Sequence, residues 1–410
     1  MYNFSDMVSN YAKLAVEIGV NIQKGQTLVI NSPIESAEFV RLVAQHAYDM
    51  GAKNVHVEWN DEKLALIKYM SAPDEAFKEF PMWKANGLEE MAKGGAAFLS
   101  IYAQDPELLK DVDPERISTA AKTRSQALKA YRDYIMASRV SWSVISIPTA
   151  GWAGKVFAGM PEDDAIAKLW DSIFKIVRID REDPVAEWKK HLENLGEKVE
   201  FLNGKKFKKL HFKSSVTDLC VELPKGHVWA GGGEFNPDGV YFVANMPTEE
   251  IFTMPLKTGV NGHVKSTKPL NYGGNLIDDF SLTFRDGKIV DFAASKGYEI
   301  LKKLIETDEG SCYLGEVALV PYDSPISNMD TVFFNTLFDE NASCHLAFGM
   351  AYPTCIEGGD SMSEEELENA GANKSLVHED FMIGSSDMDI SGETESGEIV
   401  AIFKNGNWAF

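Results

Sequence analysis

Gln26–Trp59 reads QTLVINSPIESAEFVRLVAQHAYDMGAKNVHVEW, and this stretch decides the fold class. Thr27–Ile30 is a short apolar run of strand length. Ser32-Pro-Ile-Glu35 then shows the S-x-x-E spacing of a capping box, with Pro33 at the first helical position. Phe39, Val40, Val43, Ala44 and Ala47 recur at helical spacing, and Gly51 supplies the stop. Asn54–Trp59 alternates apolar and polar and reads as a second strand. Strand, helix and strand joined by short links make a βαβ unit, which requires a parallel sheet.

Working outward, Ala96–Tyr102 and Val140–Ile147 are further strand candidates, and Pro114–Ser138 reads as one long helix. The character of the chain changes after Asp183-Pro184 and a helix expected over Val185–Leu195. Turn signals then crowd together at Asn203-Gly204, Pro224–Gly226, Pro237–Gly239, Asn261-Gly262, Asn271–Gly274 and Asp286-Gly287. Between them lie the strand candidates Phe207–Lys213, Gly239–Ala244, Phe280–Phe284 and Lys288–Ala294. Closely spaced strands with hairpin-type turns predict an antiparallel region. The expectation is an α/β protein: a parallel α/β domain over residues 1–185, then a β-rich α+β metal-binding domain over residues 186–410. Ser363–Glu366 has capping spacing and either starts a short surface helix or lies in a solvated loop.

The 410 residues are 44% hydrophobic and 25% charged, an ordinary balance for a globular chain with a sizeable core. The formal charge of −22 repels nucleic acid and anionic membranes, so neither is an expected partner. It is compatible with collecting cations, although acidic surfaces also serve solubility. No apolar run reaches the roughly 20 residues that cross a bilayer. Met1–Gln26 lacks the basic and apolar regions of a signal peptide. Cys220, Cys312, Cys344 and Cys355 show no C-x-x-C spacing. Reduced thiols in a cytoplasmic protein are therefore expected.

Chemistry-bearing residues gather after Asn245. Glu249 and Glu250 fall in a segment otherwise fit for a strand, and extension would point them opposite ways. Glu316 heads the apolar run Tyr313–Pro321, where a carboxylate is costly unless paired or bound to metal. Asp339–His345 brings acids and a histidine close together. Ser375–Gly384 alternates, so as a strand it sets His378, Asp380 and Met382 on one face. Carboxylates with one or two imidazoles suit Zn²⁺, Mn²⁺ or Co²⁺, and a carboxylate can bridge two ions. Cys344 beside His345 is not a nucleophile–base pair, because adjacent residues diverge on a strand. Gly231–Gly233 lacks the Gly-Lys-Ser/Thr of a phosphate loop and reads as a turn between strands. His46, His56, His191, His211, His227 and His263 have no matching partners.

Asn245-x-Pro-Thr-Glu-Glu-x-Phe-Thr-x-Pro255, Gly315-Glu316, His345 with Gly349 and Tyr352-Pro353, Ile356-Glu-Gly-Gly359, and His378-x-Asp-Phe-Met-Ile-Gly384 closely resemble the thermophilic aminopeptidase family M29. That group includes aminopeptidases T and S and PepS. Order and spacing agree over essentially the whole chain, and Ile147–Ala153 also looks like a family segment. The resemblance implies a metalloaminopeptidase with two divalent ions per chain (Zn²⁺, Co²⁺, Mn²⁺ or Mg²⁺). It implies Glu250, Glu316, His345, His378 and Asp380 as metal ligands, Glu340 as a further ligand or close neighbour, and Tyr352 at the centre. It selects Glu250 over Glu249. Glu250, Glu316 and Tyr352 are the catalytic candidates, with the proton carrier being either Glu316 or Glu250. The implied partners are short peptides with a free N-terminus and a second copy in a homodimer. Another dinuclear hydrolase, or a non-catalytic metal- or peptide-binding protein, would use the same donors.

Overall fold

The computed structural model describes residues 3–272 and 275–410, in two compact units. The first comprises Met1–His191 with Gly233–Pro247, and the second Leu192–Gly232 with Thr248–Phe410. A single cut near residue 185 misses one feature: Gly233–Pro247 belongs to the first unit. Val144 N–H donates to Ala244 O at 2.7 Å and Val243 N–H to Gly19 O at 2.8 Å. Residue 185 itself falls at the start of a helix, Pro184–Lys205.

The first unit is built on a four-stranded parallel sheet in the order Asn54–Asn60, Thr27–Pro33, Ala97–Ile101, Trp142–Ile145. Leu28, Val29 and Ile30 are buried in succession, as a central parallel strand covered on both faces requires. Helix Ala37–Asp49 buries Phe39, Val40, Val43 and Ala47, the stripe its spacing predicts. The expected capping box does not form. The strand continues through Ser32 and Pro33 into one turn of 3₁₀ helix, Ile34–Ser36, and the buried Ser32 Oγ lies 2.5 Å from Ser36 Oγ instead. The long helix expected over Pro114–Ser138 is two, Pro114–Ala127 and Lys129–Met136, parted at Leu128.

The second unit holds two antiparallel sheets. One has nine strands, including Phe207–Lys213, Asp218–Glu222, Val260–Lys265, Asn275–Arg285 and Lys288–Lys296. The other has five, in the order His378–Met382, His345–Gly349, Leu314–Leu319, Ile251–Thr253, Ala230–Gly231. Gly231 is therefore in an edge strand paired with Ile251, while Gly232, at φ 79°, and Gly233 link that strand to Glu234–Phe235 as a turn between strands. Phe280 of the larger sheet sits 5.5 Å from Phe381 of the smaller, ring centre to ring centre, so the sheets share one core. Val317, Leu319, Leu346, Phe348 and Phe381 fill that core from the five-stranded side. Each such side chain contributes about 1.5–3 kcal/mol of burial, which offsets the cost of an acidic opposite face.

The turn signals divide by conformation. Asp286 and Gly287 both take positive φ, 50° and 80°, and close a hairpin. Asn261-Gly262 is not a turn but the interior of a strand; Gly262, at φ +121°, lets the backbone pass where a Cβ would stand 2.2 Å from Asp218 O. Asn203-Gly204 also is not a turn. The helix runs through it because Trp188, Leu195 and Leu202, seven residues apart, are all buried on one stripe. In the turn expected at Asn271–Gly274, Gly273 and Gly274 lie outside the described residues. Ser363 and Glu366 form a reciprocal capping box, so Ser363–Glu366 does start a helix, Glu364–Asn369. The C-terminus docks on its own unit, with Phe410 stacked on Phe201 at 3.8 Å. Among the described residues no helix is long and apolar enough to cross a membrane.

Candidate metal centre

Strand register assembles the polar face of the five-stranded sheet. Glu316 pairs with Ala347, and Ala347 with Asp380, so these three form one row across three strands. His345 lies two residues before Ala347, and His378 two before Asp380. The alternation that turns Val317, Leu346 and Phe381 into the core therefore turns Glu316, His345, His378 and Asp380 the other way. Glu250 immediately precedes the Ile251–Thr253 strand and joins them: its Oε2 is 3.3 Å from His345 Nε2.

The side chains form two groups that share one member. Glu250, Glu316 and His345 offer three donor atoms within 4.8 Å of one another, and so do Glu316, His378 and Asp380. Glu316 divides its carboxylate between them. Oε1 is 3.4 Å from His345 Nε2, and Oε2 is 3.5 Å from His378 Nε2, which is itself 3.6 Å from Asp380 Oδ1. Two ligands each about 2.1 Å from one tetrahedral ion stand about 3.4 Å apart, so the spacing suits a shared cation. Asp380 Oδ1 is buried and has no hydrogen-bond partner, which a cation would supply.

Backbone carbonyls set the imidazoles. His378 Nδ1 is 2.7 Å from Met350 O, and His345 Nδ1 is 3.3 Å from Ser343 O. A carbonyl only accepts, so Nδ1 carries the proton in both rings, and Nε2 turns a lone pair toward the carboxylates when the ring is neutral. Asn373 supports this arrangement: its amide donates to Gly310 O at 2.8 Å and to Gly349 O at 2.6 Å, next to Met350.

The electrostatics call for positive charge. Among the described residues no lysine or arginine pairs with Glu250, Glu316, Glu340 or Asp380. Burial pushes the Glu316 carboxyl up, against the pull of His345. Burial, and then Glu250 and Asp380, push Glu340 well above the usual carboxylate range. Burial alone would lower His345, but the facing Glu250 and Glu316 carboxylates hold its imidazolium well above the ordinary value. His378 is likewise raised, its desolvation outweighed by Asp380 and Glu316. Protons on the imidazoles thus offset part of the negative charge, and divalent cations would do so more fully.

Of the residues singled out by sequence, Glu250, Glu316, His345, His378 and Asp380 are brought together. Glu340, in the 3₁₀ turn Glu340–Ala342, stands outside both donor groups but near enough for Glu250 and Asp380 to raise its pKa. Tyr352 packs its ring 4.6 Å from that of His378, and burial with the surrounding carboxylates keeps its hydroxyl protonated. Glu249 is not in either donor group. Cys344 faces away: it is buried, exchanges hydrogen bonds with the Val320 backbone, and burial pushes its thiol up to about 12. Sequence reading assigned nothing to Asn341, Asn373 or Met350. Asn341 alone lay within a quoted motif, between Glu340 and His345.

The thermophilic metalloprotease family M29 matches residues 4–408 of the chain. Aminopeptidase 2 of Geobacillus stearothermophilus is 56% identical over 410 residues, covering 100% of this chain and 99% of the relative. Aminopeptidase AmpS of Bacillus subtilis is 55% identical, covering 100% of both chains. The solved structure of wild-type AmpT from Thermus thermophilus superposes with a TM-score of 0.95 at 40% identity, again over 100% of both.

Proposed function

The chain belongs to the thermophilic metalloprotease family M29, and on that premise we propose that it is an aminopeptidase acting with two divalent ions held on the polar face of the five-stranded sheet. The observation that carries the two-ion reading is the divided carboxylate of Glu316, with one oxygen in each donor group. Glu250, Glu316 and His345 would hold one ion, and Glu316, His378 and Asp380 the other, with Glu340 as their neighbour. The donor set accommodates Zn²⁺, Co²⁺, Mn²⁺ or Mg²⁺.

When bound, such ions supply Lewis acidity, which makes water acidic near neutral pH and polarises the scissile carbonyl. The protein's own groups do the rest. Either Glu316 or Glu250, each within 3.4 Å of His345 Nε2, takes and returns the proton. Tyr352, held protonated beside His378, donates to the oxyanion that develops on the peptide. The backbone carbonyls behind His345 and His378 keep Nε2 aimed inward throughout. The carboxylates, which pair with no lysine or arginine among the described residues, attract the α-ammonium of a peptide and favour substrates with a free N-terminus.

Short peptides are thus the proposed substrates. The same proposal includes a homodimer, as the family resemblance implies, and a cytoplasmic setting, which suits four free thiols. The test is hydrolysis of leucyl and arginyl p-nitroanilides by metal-stripped protein, with Zn²⁺, Co²⁺ or Mn²⁺ restored. N-acetyl-leucyl p-nitroanilide and a phosphate ester run beside them. Metal-dependent release from the free amines alone is expected. Equal cleavage of the acetylated substrate refutes the N-terminal restriction. Turnover of the phosphate ester alone replaces the reading with another dinuclear hydrolase, and metal binding without turnover replaces it with a binding protein.

A further inference from the structure

Four of the clustered residues are fixed by the sheet. Glu316, His345, His378 and Asp380 sit in strands whose register leaves them little freedom. Glu250 and Glu340 do not share that support. Glu250 lies one residue ahead of its strand, and Glu340 starts a single 3₁₀ turn. One side chain reaches both segments. Asn341 is fully buried, and its Oδ1 accepts the Glu249 backbone N–H at 2.7 Å, directly before Glu250. Its Nδ2 donates to Leu337 O at 3.1 Å and lies 3.4 Å from Glu340 Oε1. The two segments are about ninety residues apart in sequence. A planar amide suits this task, because it accepts on one side and donates on the other in a fixed geometry.

We propose that Asn341 is the positioning residue of the centre, tying the Glu250 segment to the Glu340 turn so that both carboxylates are held toward the cations. The inference rests on the two-ion reading above. It requires no contact between Asn341 and substrate. Supporting hydrogen bonds of this kind change metal affinity by about 10–100-fold when removed.

Metal affinity is measured directly, by competition of a chromogenic chelator with the wild-type protein, Asn341→Asp, Asn341→Leu and Ser324→Ala. Ser324 Oγ donates to the Asn341 backbone carbonyl at 3.3 Å and accepts the Ser327 N–H at 3.0 Å, so its variant disturbs the same loop without touching the Asn341 side-chain amide. Asn341→Asp keeps an acceptor for Glu249 N–H but loses the donor. It also adds negative charge near the ions, which by charge alone tightens cation binding. A fall of about tenfold or more in affinity for Asn341→Asp, larger for Asn341→Leu, with Ser324→Ala near wild type, is the expected result. Melting temperatures are read with and without metal. A merely structural role lowers both equally and leaves affinity unchanged, which overturns the proposal, as does unchanged or tighter binding by Asn341→Asp. If Asn341→Leu does not fold, Asn341→Asp decides alone. Failure of the wild-type protein to bind divalent metal would instead overturn the two-ion reading itself.

Discussion

Glu379 lies between two of the clustered residues yet on the other face of their strand, and it should cost the protein stability. Burial, with Asp380 adding to it, pushes its carboxyl from 4.5 up to about 8. The folded protein therefore keeps a proton that the unfolded chain releases above about pH 4.5. Folding takes up that proton between pH 4.5 and 8, so the stability contributed by this residue falls as pH rises through that window. At about 1.4 kcal/mol per pH unit, the penalty is under about 1 kcal/mol at pH 5 and about 3 kcal/mol at pH 7, and approaches 5 kcal/mol above pH 8. Solvent at the partly exposed edge of the side chain reduces these figures, so about 2 kcal/mol at pH 7 is a conservative expectation. Glu379→Gln removes the titration while keeping shape. Urea unfolding of chelator-treated wild-type and variant protein at pH 5, 7 and 8.5 measures the difference. The variant should gain little at pH 5 and progressively more at pH 7 and 8.5. A gain independent of pH, or none at any pH, refutes the reasoning and means that the carboxylate is solvated or paired in the folded state.

Two further variants probe the backbone and the excluded nucleophile. Gly262→Ala should destabilise the protein by more than about 2 kcal/mol in urea unfolding, because its Cβ would stand 2.2 Å from Asp218 O at a φ of +121°; wild-type stability would contradict the strand passing so close. Cys344→Ala should keep most of its peptidase activity, since the thiol is buried, faces the core side and is pushed up to about 12; a loss beyond a hundredfold in kcat/KM would reinstate a role for it.

Local pattern carried much of the architecture. The βαβ unit at Gln26–Trp59 could be read because its strand, helix and strand periods are distinct and its links short. The same local reading failed at Asn261-Gly262 and Asn203-Gly204, where the dipeptide is a turn signal but the surroundings override it. A neighbouring strand needs the missing Cβ at Gly262, and a buried stripe from Trp188 to Leu202 carries the helix past Gly204. Asp286-Gly287 succeeded because its two positive φ values are those of a two-residue hairpin turn.

The candidate centre divides in the same way. His378 and Asp380 were legible as a pair, since two residues on one strand share a face whatever the sheet. That Glu250, Glu316 and His345 meet them depends on the order of strands drawn from residues 251–382, which no local spacing encodes; the family resemblance supplied it. The choice of Glu250 over Glu249 came from the same source; Glu250 Oε2 lies 3.3 Å from His345 Nε2, and Glu249 is in neither donor group. Asn341 was invisible because its partner, Glu249 N–H, is 92 residues away in the chain. Met350 acts through a backbone carbonyl, which leaves no mark on residue type.

The most direct test of the two-ion account counts ions per chain by elemental analysis of protein equilibrated with excess Zn²⁺ or Co²⁺ and then desalted, for wild type, His378→Ala and Glu316→Ala. The account predicts two ions in the wild type, about one in His378→Ala, and loss of both tightly held ions in Glu316→Ala, because only Glu316 belongs to both donor groups. A single ion in the wild type, or one ion retained at wild-type affinity in Glu316→Ala, would contradict it.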